Sequence, residues 1–296
     1  MADLVNVLTV GILLGGIYAL VSVGLNLIFG VIRIVNFAQG EFVMLGMYGA
    51  YAAYAFLRLD PYVSLIGLLP LFFVFGAVVQ RLILAPLRNE PAMQIFATFG
   101  LLMLIENVVL ALTRGTAYSV PSPISQASIG IAGIQVGAVR LIALGAATAA
   151  AFGLGLYLRN TMPGRAIRAV AQDRAAATLM GVDVERIYMV TFGIGTALAG
   201  LAGCLLAPIY SLSPQIGTSF ILPAFAVVVL GGLGSVLGAY VGGFIVGLTE
   251  ALAGYYLDPA LKYAVIFGVF VLVLIVRPSG LFGKVGAEEV GLRDQS

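Results

Sequence analysis

The chain has 296 residues, 61% of them hydrophobic and 9% charged, where soluble globular domains carry about 25% charged residues. A soluble domain around one large core is excluded, and a polytopic membrane protein is expected. With no histidine, a single cysteine (Cys204) and a net charge of only +2, there is no material for a disulfide framework, a Cys/His metal site or a histidine proton relay.

The N-terminal MADLVNVLTV has no positive n-region, so a cleaved signal peptide is not expected. A membrane-crossing helix needs about 20 apolar residues. Apolar segments are predicted at Leu4–Phe29, Gly40–Leu57, Tyr62–Leu84, Gln94–Thr113, Gly137–Leu158, Ile187–Pro208, Phe220–Leu233, Val236–Gly254 and Ala260–Val276. The seventh is short and reads as a broken or re-entrant helix. The expected fold is an all-α polytopic membrane protein of eight or nine segments, one transmembrane domain over 1–296.

Lysine and arginine in short loops set orientation. The stretch Arg159–Arg186 holds five arginines and is expected in the cytoplasm. Arg81 and Arg88 flank a loop on the same side, and Arg277, Lys284 and Arg293 place the tail 277–296 there. Three crossings before the Arg81–Arg88 loop put the N-terminus outside. Arg114–Val136, rich in Ser, Pro and Gly, reads as an irregular outer loop.

The polar stretch 159–186 also reads as folded. Pro163 suits the first turn of a short helix. Arg165, Arg168 and Gln172 share one helical face, and Ile167, Val170 and Ala171 the opposite one. Asp173 is placed to cap a second helix, Gly181 to stop it in the left-handed region, and Asp183 to cap the next helix. Ala175, Ala176 and Ala177 form a small-residue face. Two readings stand: a solvated basic loop, or a docking knob for a soluble partner.

Glycines and alanines spaced by four (Gly11 and Gly15; Gly195, Ala199 and Gly203; Gly234, Gly238 and Gly242) let helix backbones approach closely. Two glycine-rich breaks, GVIRIVNFAQG (Gly30–Gly40) and GGLGSVLGAYVG (Gly231–Gly242), interrupt the apolar pattern. Such breaks in both halves of a chain point to a transport path, and Asn36, Gln39 and Ser235 are its candidate residues. Each also fits an ordinary surface loop. Glu41, Glu106 and Glu250 fall in or beside predicted segments and need a partner or a wet cavity. Glu41 is placed to pair with Arg33, and Glu106 is the candidate for a deep polar site. For each of the three glutamates the alternative is a structural interhelical hydrogen bond or a protonated acid, and Asn26 reads as interhelical glue. No G-x-x-x-x-G-K-[ST] loop occurs, so the chain shows no phosphate cradle of that type.

Three ordered blocks carry a resemblance: Gly15–Tyr51, Gly164–Leu205 and Phe225–Glu250. Together they resemble the permeases of branched-chain amino acid ABC importers, more the H-type subunit than its M-type partner. The resemblance implies an inner-membrane permease with no cofactor of its own. It implies an M-type permease as heterodimer partner, two cytoplasmic ATPases that bind ATP and Mg, and a periplasmic binding protein delivering leucine, isoleucine or valine; nucleic acid is no partner. It assigns coupling to the ATPases to Gly164, Arg165, Arg168, Ala169, Asp173, Ala177, Met180 and Gly181, which agrees with the docking knob. Importers of urea, amides and aromatic compounds share the blocks. A proton-coupled secondary carrier using Glu41, Glu106 or Glu250 is the rival from another class, and a non-transporting membrane scaffold a third.

Overall fold

Small residues decide how the helices meet. The computed structural model describes residues 2–122, 124, 127–131, 134–257 and 261–283. In it α1 (Ala2–Ile32) lies along α10 (Val236–Tyr256). A Cβ at Gly15 would sit 2.7 Å from the Phe244 Cα, and one at Gly243 would sit 2.7 Å from the Ala19 Cα. The same close approach brings α2 (Gln39–Leu57) onto α8 (Val184–Leu206). A Cβ at Gly203 there would strike the Val43 carbonyl and lie 2.8 Å from the Met47 nitrogen. Without a hydrophobic drive between helices in lipid, such contacts supply the packing.

The remaining elements wrap this centre. They are α3 (Pro61–Val79), continued by a π turn and a 3-10 turn to Leu87, α4 (Pro91–Thr113), the strands β1 (Ser128–Ile131) and β2 (Ile134–Gly137), and α5 (Ala138–Asn160). Then come the short α6 (Met162–Gln172) and α7 (Arg174–Leu179), and, beyond α8, α9 (Thr218–Gly231) and α11 (Lys262–Val276). The apolar stretch of α8 is 67% buried and that of α1 56%, against 22% in α3, α4 and α5. So α8 and α1 form the core, and α3, α4 and α5 form the outer shell.

Six helices among the described residues are long and apolar enough to cross a membrane: Leu4–Ile32, Pro61–Leu87, Pro91–Thr113, Ala138–Asn160, Val184–Leu206 and Val236–Tyr256. Two apolar helices are shorter, α9 with 14 residues and α11 with 15. The expectation of a short seventh segment is met by α9. The first helix runs through Gly30 to Ile32, past the expected end at Phe29. The loop expected on the outer side is not wholly irregular: β1 and β2 pair antiparallel from Ser128↔Gly137 to Ile131↔Ile134, and Tyr118 bridges to Leu212. Ala260, Lys284 and Arg293 lie outside the described residues.

The bundle has two distinct ends. At one, Arg33 reaches the Ala171 carbonyl of α6 (3.4 Å), and Arg88 pairs with Glu185 at the start of α8 (3.3 Å). The segment after α11 returns to this end, where the Leu281 and Phe282 N–H groups donate to the Leu230 and Gly231 carbonyls. At the other, Ser122 donates to Asp60 (3.1 Å) and Lys262 to Glu250 (2.9 Å).

Candidate coupling elbow and membrane path

The elbow α6–α7 is built by caps. The Thr161 hydroxyl accepts from the Gly164 N–H at 3.0 Å, with Pro163 in the first turn. Asp173 ends α6 and caps α7, its Oδ1 accepting from the Ala176 N–H at 2.9 Å. Gly181 has φ +81, the left-handed stop that favours glycine. Asp183 caps α8 by accepting from the Arg186 N–H at 3.2 Å. Each cap pairs a backbone donor that a helix start leaves open.

The elbow has a seated face and a free face. Ile167, Val170 and Ala177 are buried against the bundle, and Gly164 fits where a Cβ would press on the Tyr157 carbonyl. Arg165, Arg168, Asp173 and Gly181 are exposed, Ala169 is half-buried, and Met180 is 84% exposed. Two of the residues expected to couple to the ATPases lie on the seated face. Gly164 and Ala177 face the body of the protein, where they seat the elbow. Ala175 and Ala176 remain outward, so the small-residue face is split. Composition named those small residues but not the side they face. Leu179 (88% exposed) and Met162 (75%) also stand outward, which the sequence reading did not single out. The signal for Leu179 was an apolar pair directly before the glycine stop.

The first break is a polar knot. After α1, Arg33 takes φ 62, a left-handed conformation uncommon outside glycine. The chain then runs non-helically to α2. Asn36 and Gln39 are fully buried. The Asn36 amide donates to the Gln39 side-chain oxygen (3.2 Å), and its own oxygen accepts from the Ala38 N–H (3.1 Å). Gln39 donates to the Gly195 carbonyl (3.3 Å), at the midpoint of α8. Thr98 of α4, which sequence reasoning passed over, accepts from the Phe37 N–H at 3.3 Å and donates to the Val35 carbonyl at 3.2 Å. So Asn36 and Gln39 tie irregular backbone to neighbouring helices, as backbone at membrane depth requires.

The expected Arg33–Glu41 pair does not form. Arg33 turns outward to the elbow, while Glu41 is 0% exposed. Neither Glu41 carboxylate oxygen meets a donor among the described residues. Glu106 is half-buried on α4, within electrostatic reach of Glu41. At the second break, Ser235 caps α10 by accepting from the Gly238 N–H at 3.1 Å. Asn26 binds this break from α1, which bears out its reading as interhelical glue. Glu250 accepts from Tyr18 (2.5 Å) and Lys262 (2.9 Å), an interhelical contact away from both breaks. Among the described residues no group of three His, Cys, Asp or Glu side chains is placed to hold a metal.

The chain is similar in sequence to named relatives. It is 32% identical to the high-affinity branched-chain amino acid transport system permease protein LivH of Escherichia coli (strain K12), over 95% of this chain and 96% of the relative. It is likewise 32% identical to the high-affinity permease protein BraD of Pseudomonas aeruginosa, over 97% of each chain. To a probable branched-chain amino acid transport permease of Methanocaldococcus jannaschii it is 30% identical, over 92% of this chain and 90% of the relative. Residues 7–274 match the family described as the permease component of branched-chain amino acid transport systems, and with that extent of match the chain belongs to that family.

Proposed function

We propose that this chain is the H-type permease subunit of an ATP-driven (ABC) importer of leucine, isoleucine and valine in a bacterial inner membrane. The observation that carries the reading is the elbow: a capped knob, seated by Ile167 and Val170, with Met162, Leu179, Met180 and its arginines turned outward. A solvated loop has no use for an apolar tip above a rigid seat. The substrates for which the relatives are named support branched-chain amino acids over urea, amides or aromatic compounds.

In this reading α1–α5 and α8–α11 make nine membrane segments, with α2 and α9 partial, in one permease domain over 1–296. The elbow end faces the cytoplasm, and so does the tail after Arg277. An M-type permease completes the membrane unit. Two ATPases supply ATP and Mg chemistry, and a periplasmic protein delivers substrate. ATP closure moves the ATPase clefts, and Arg165, Arg168, Ala169, Asp173, Met180 and Gly181 ride in them, with Gly164 and Ala177 passing the motion into α5 and α8. The path opens beside the two breaks, at Asn36, Gln39, Glu41, Glu106 and Ser235. Reversing Arg165 and Arg168 to Glu should abolish ATPase co-purification while membrane insertion persists; full co-purification would sink the docking role.

A proton-coupled carrier remains a second reading because Glu41 is buried and has no donor among the described residues. Uptake by this chain alone in vesicles, driven by a pH gradient without nucleotide, would favour it.

A further inference from the structure

Glu41 is a fully buried acid whose two oxygens both lack a donor among the described residues. A buried carboxylate without a donor is strongly disfavoured unless a counter-charge arrives. The surroundings are shaped to it. It lies in the first turn of α2, and the turn that opens α9 packs directly against it. A Cβ at Gly217 would lie 2.6 Å from the Glu41 Oε1 and 2.8 Å from the Gly40 carbonyl oxygen. Across the seam to α4 stands a second carboxylate, Glu106, which adds negative potential. The basic groups Arg33 and Lys262 are engaged elsewhere, the first at the elbow and the second on Glu250.

We propose that Glu41, backed by Glu106, is the site that takes the ammonium group of the amino acid as it passes the seam between α2 and α9. This rests on the import reading above. A zwitterion crossing apolar walls loses its hydration at both ends. A buried carboxyl group stays neutral without a counter-charge. The ammonium end stabilises its ionised form, the proton passing to water in the opened seam and returning from there when the substrate leaves, so the ion pair exists only while substrate is present. That makes the interaction transient by construction. The buried pair forms, the seam opens, and the substrate leaves.

The test uses the purified complex of both permeases and both ATPases in proteoliposomes, supplied with loaded binding protein. Glu41→Gln should reduce ATP-driven leucine uptake about tenfold or more, the worth of a hydrogen bond to a charged group, with ATPase co-purification and thermal midpoint unchanged or higher. Glu41→Asp should retain part of the uptake. In detergent, without binding protein, 3-methylbutylamine should compete with labelled leucine for the wild-type complex and not for Glu41→Gln, whereas 4-methylpentanoate should compete with neither. Full uptake by Glu41→Gln overturns the assignment. So does a lower thermal midpoint of that variant, since the charge would then serve the fold. So does proton flux in step with leucine that Glu41→Gln abolishes, which would make Glu41 a proton carrier. If the wild-type complex itself shows no ATP-dependent uptake, the import reading falls first.

Discussion

Asn26, fully buried in α1, satisfies three backbone groups of the second break with one amide. Its Nδ2 donates to the Gly232 (3.2 Å) and Ser235 (2.8 Å) carbonyls, and its Oδ1 accepts from the Gly234 N–H. Gly232 and Gly234 have φ of +103 and +82, a geometry that leaves no regular helix to pair those groups. Asn26→Ala should therefore destabilise the protein by about 1–3 kcal/mol, the cost of stranding buried backbone groups, seen as a lower thermal midpoint in detergent. An unchanged midpoint would mean that the break is held by its own turns. Gly217→Ala tests the other break. The added Cβ cannot fit beside the Glu41 carboxylate without a shift, so leucine uptake should fall while elbow-dependent ATPase binding stays.

At the scale of an element, the elbow separates a seated face from an exposed tip. Leu179 and Met180 are almost wholly exposed and Ile167 is 1% exposed. Leu179→Asp with Met180→Asp should leave the thermal midpoint in place and abolish ATPase co-purification. Ile167→Asp should do both kinds of damage, because it places an unpaired charge in the seat. If the tip variant still binds the ATPases in full, the apolar tip is not the contact. The Arg88–Glu185 pair ties α8 to the loop after α3 but is open to solvent, with side chains 32% and 68% exposed. Glu185→Ala should change stability by no more than about 1 kcal/mol.

Across the whole molecule, what the sequence made legible was what is local. The caps at Asp173 and Asp183 and the stop at Gly181 act within a few residues, so their chemistry could be read directly and recurs in the structure. Small residues at four-residue spacing foretold close helix contact, though not that Gly15 meets Phe244 or Gly203 meets Val43. Asn26 could be read as glue, but its partners lie more than 200 residues away. The Arg33–Glu41 pair failed because nearness in sequence was taken for nearness in space, and the left-handed turn at Arg33 sends the two apart. The β1–β2 pairing was hidden in a segment whose Ser, Pro and Gly content masked it.

Long-range closure is also where the bundle's far end is tested. The helix α11 is short, and Ile266 is its only buried residue. Its anchors are the backbone bonds of Leu281 and Phe282 at the elbow end and the Lys262–Glu250 bond at the other. Glu250 also accepts from Tyr18, so one carboxylate on α10 joins α1 and α11, the first and last helices among the described residues. If this contact closes the bundle as a unit, Lys262→Ala and Glu250→Gln should not add. A double-mutant cycle should return a coupling of about 0.5–3 kcal/mol, against agreement within about 0.3–0.5 kcal/mol for independent sites. Tyr18→Phe should couple to Glu250→Gln in the same way. Additive losses in both cycles would mean that α11 is held by lipid and its backbone anchor alone, and that Glu250 is bound to α1 without closing anything.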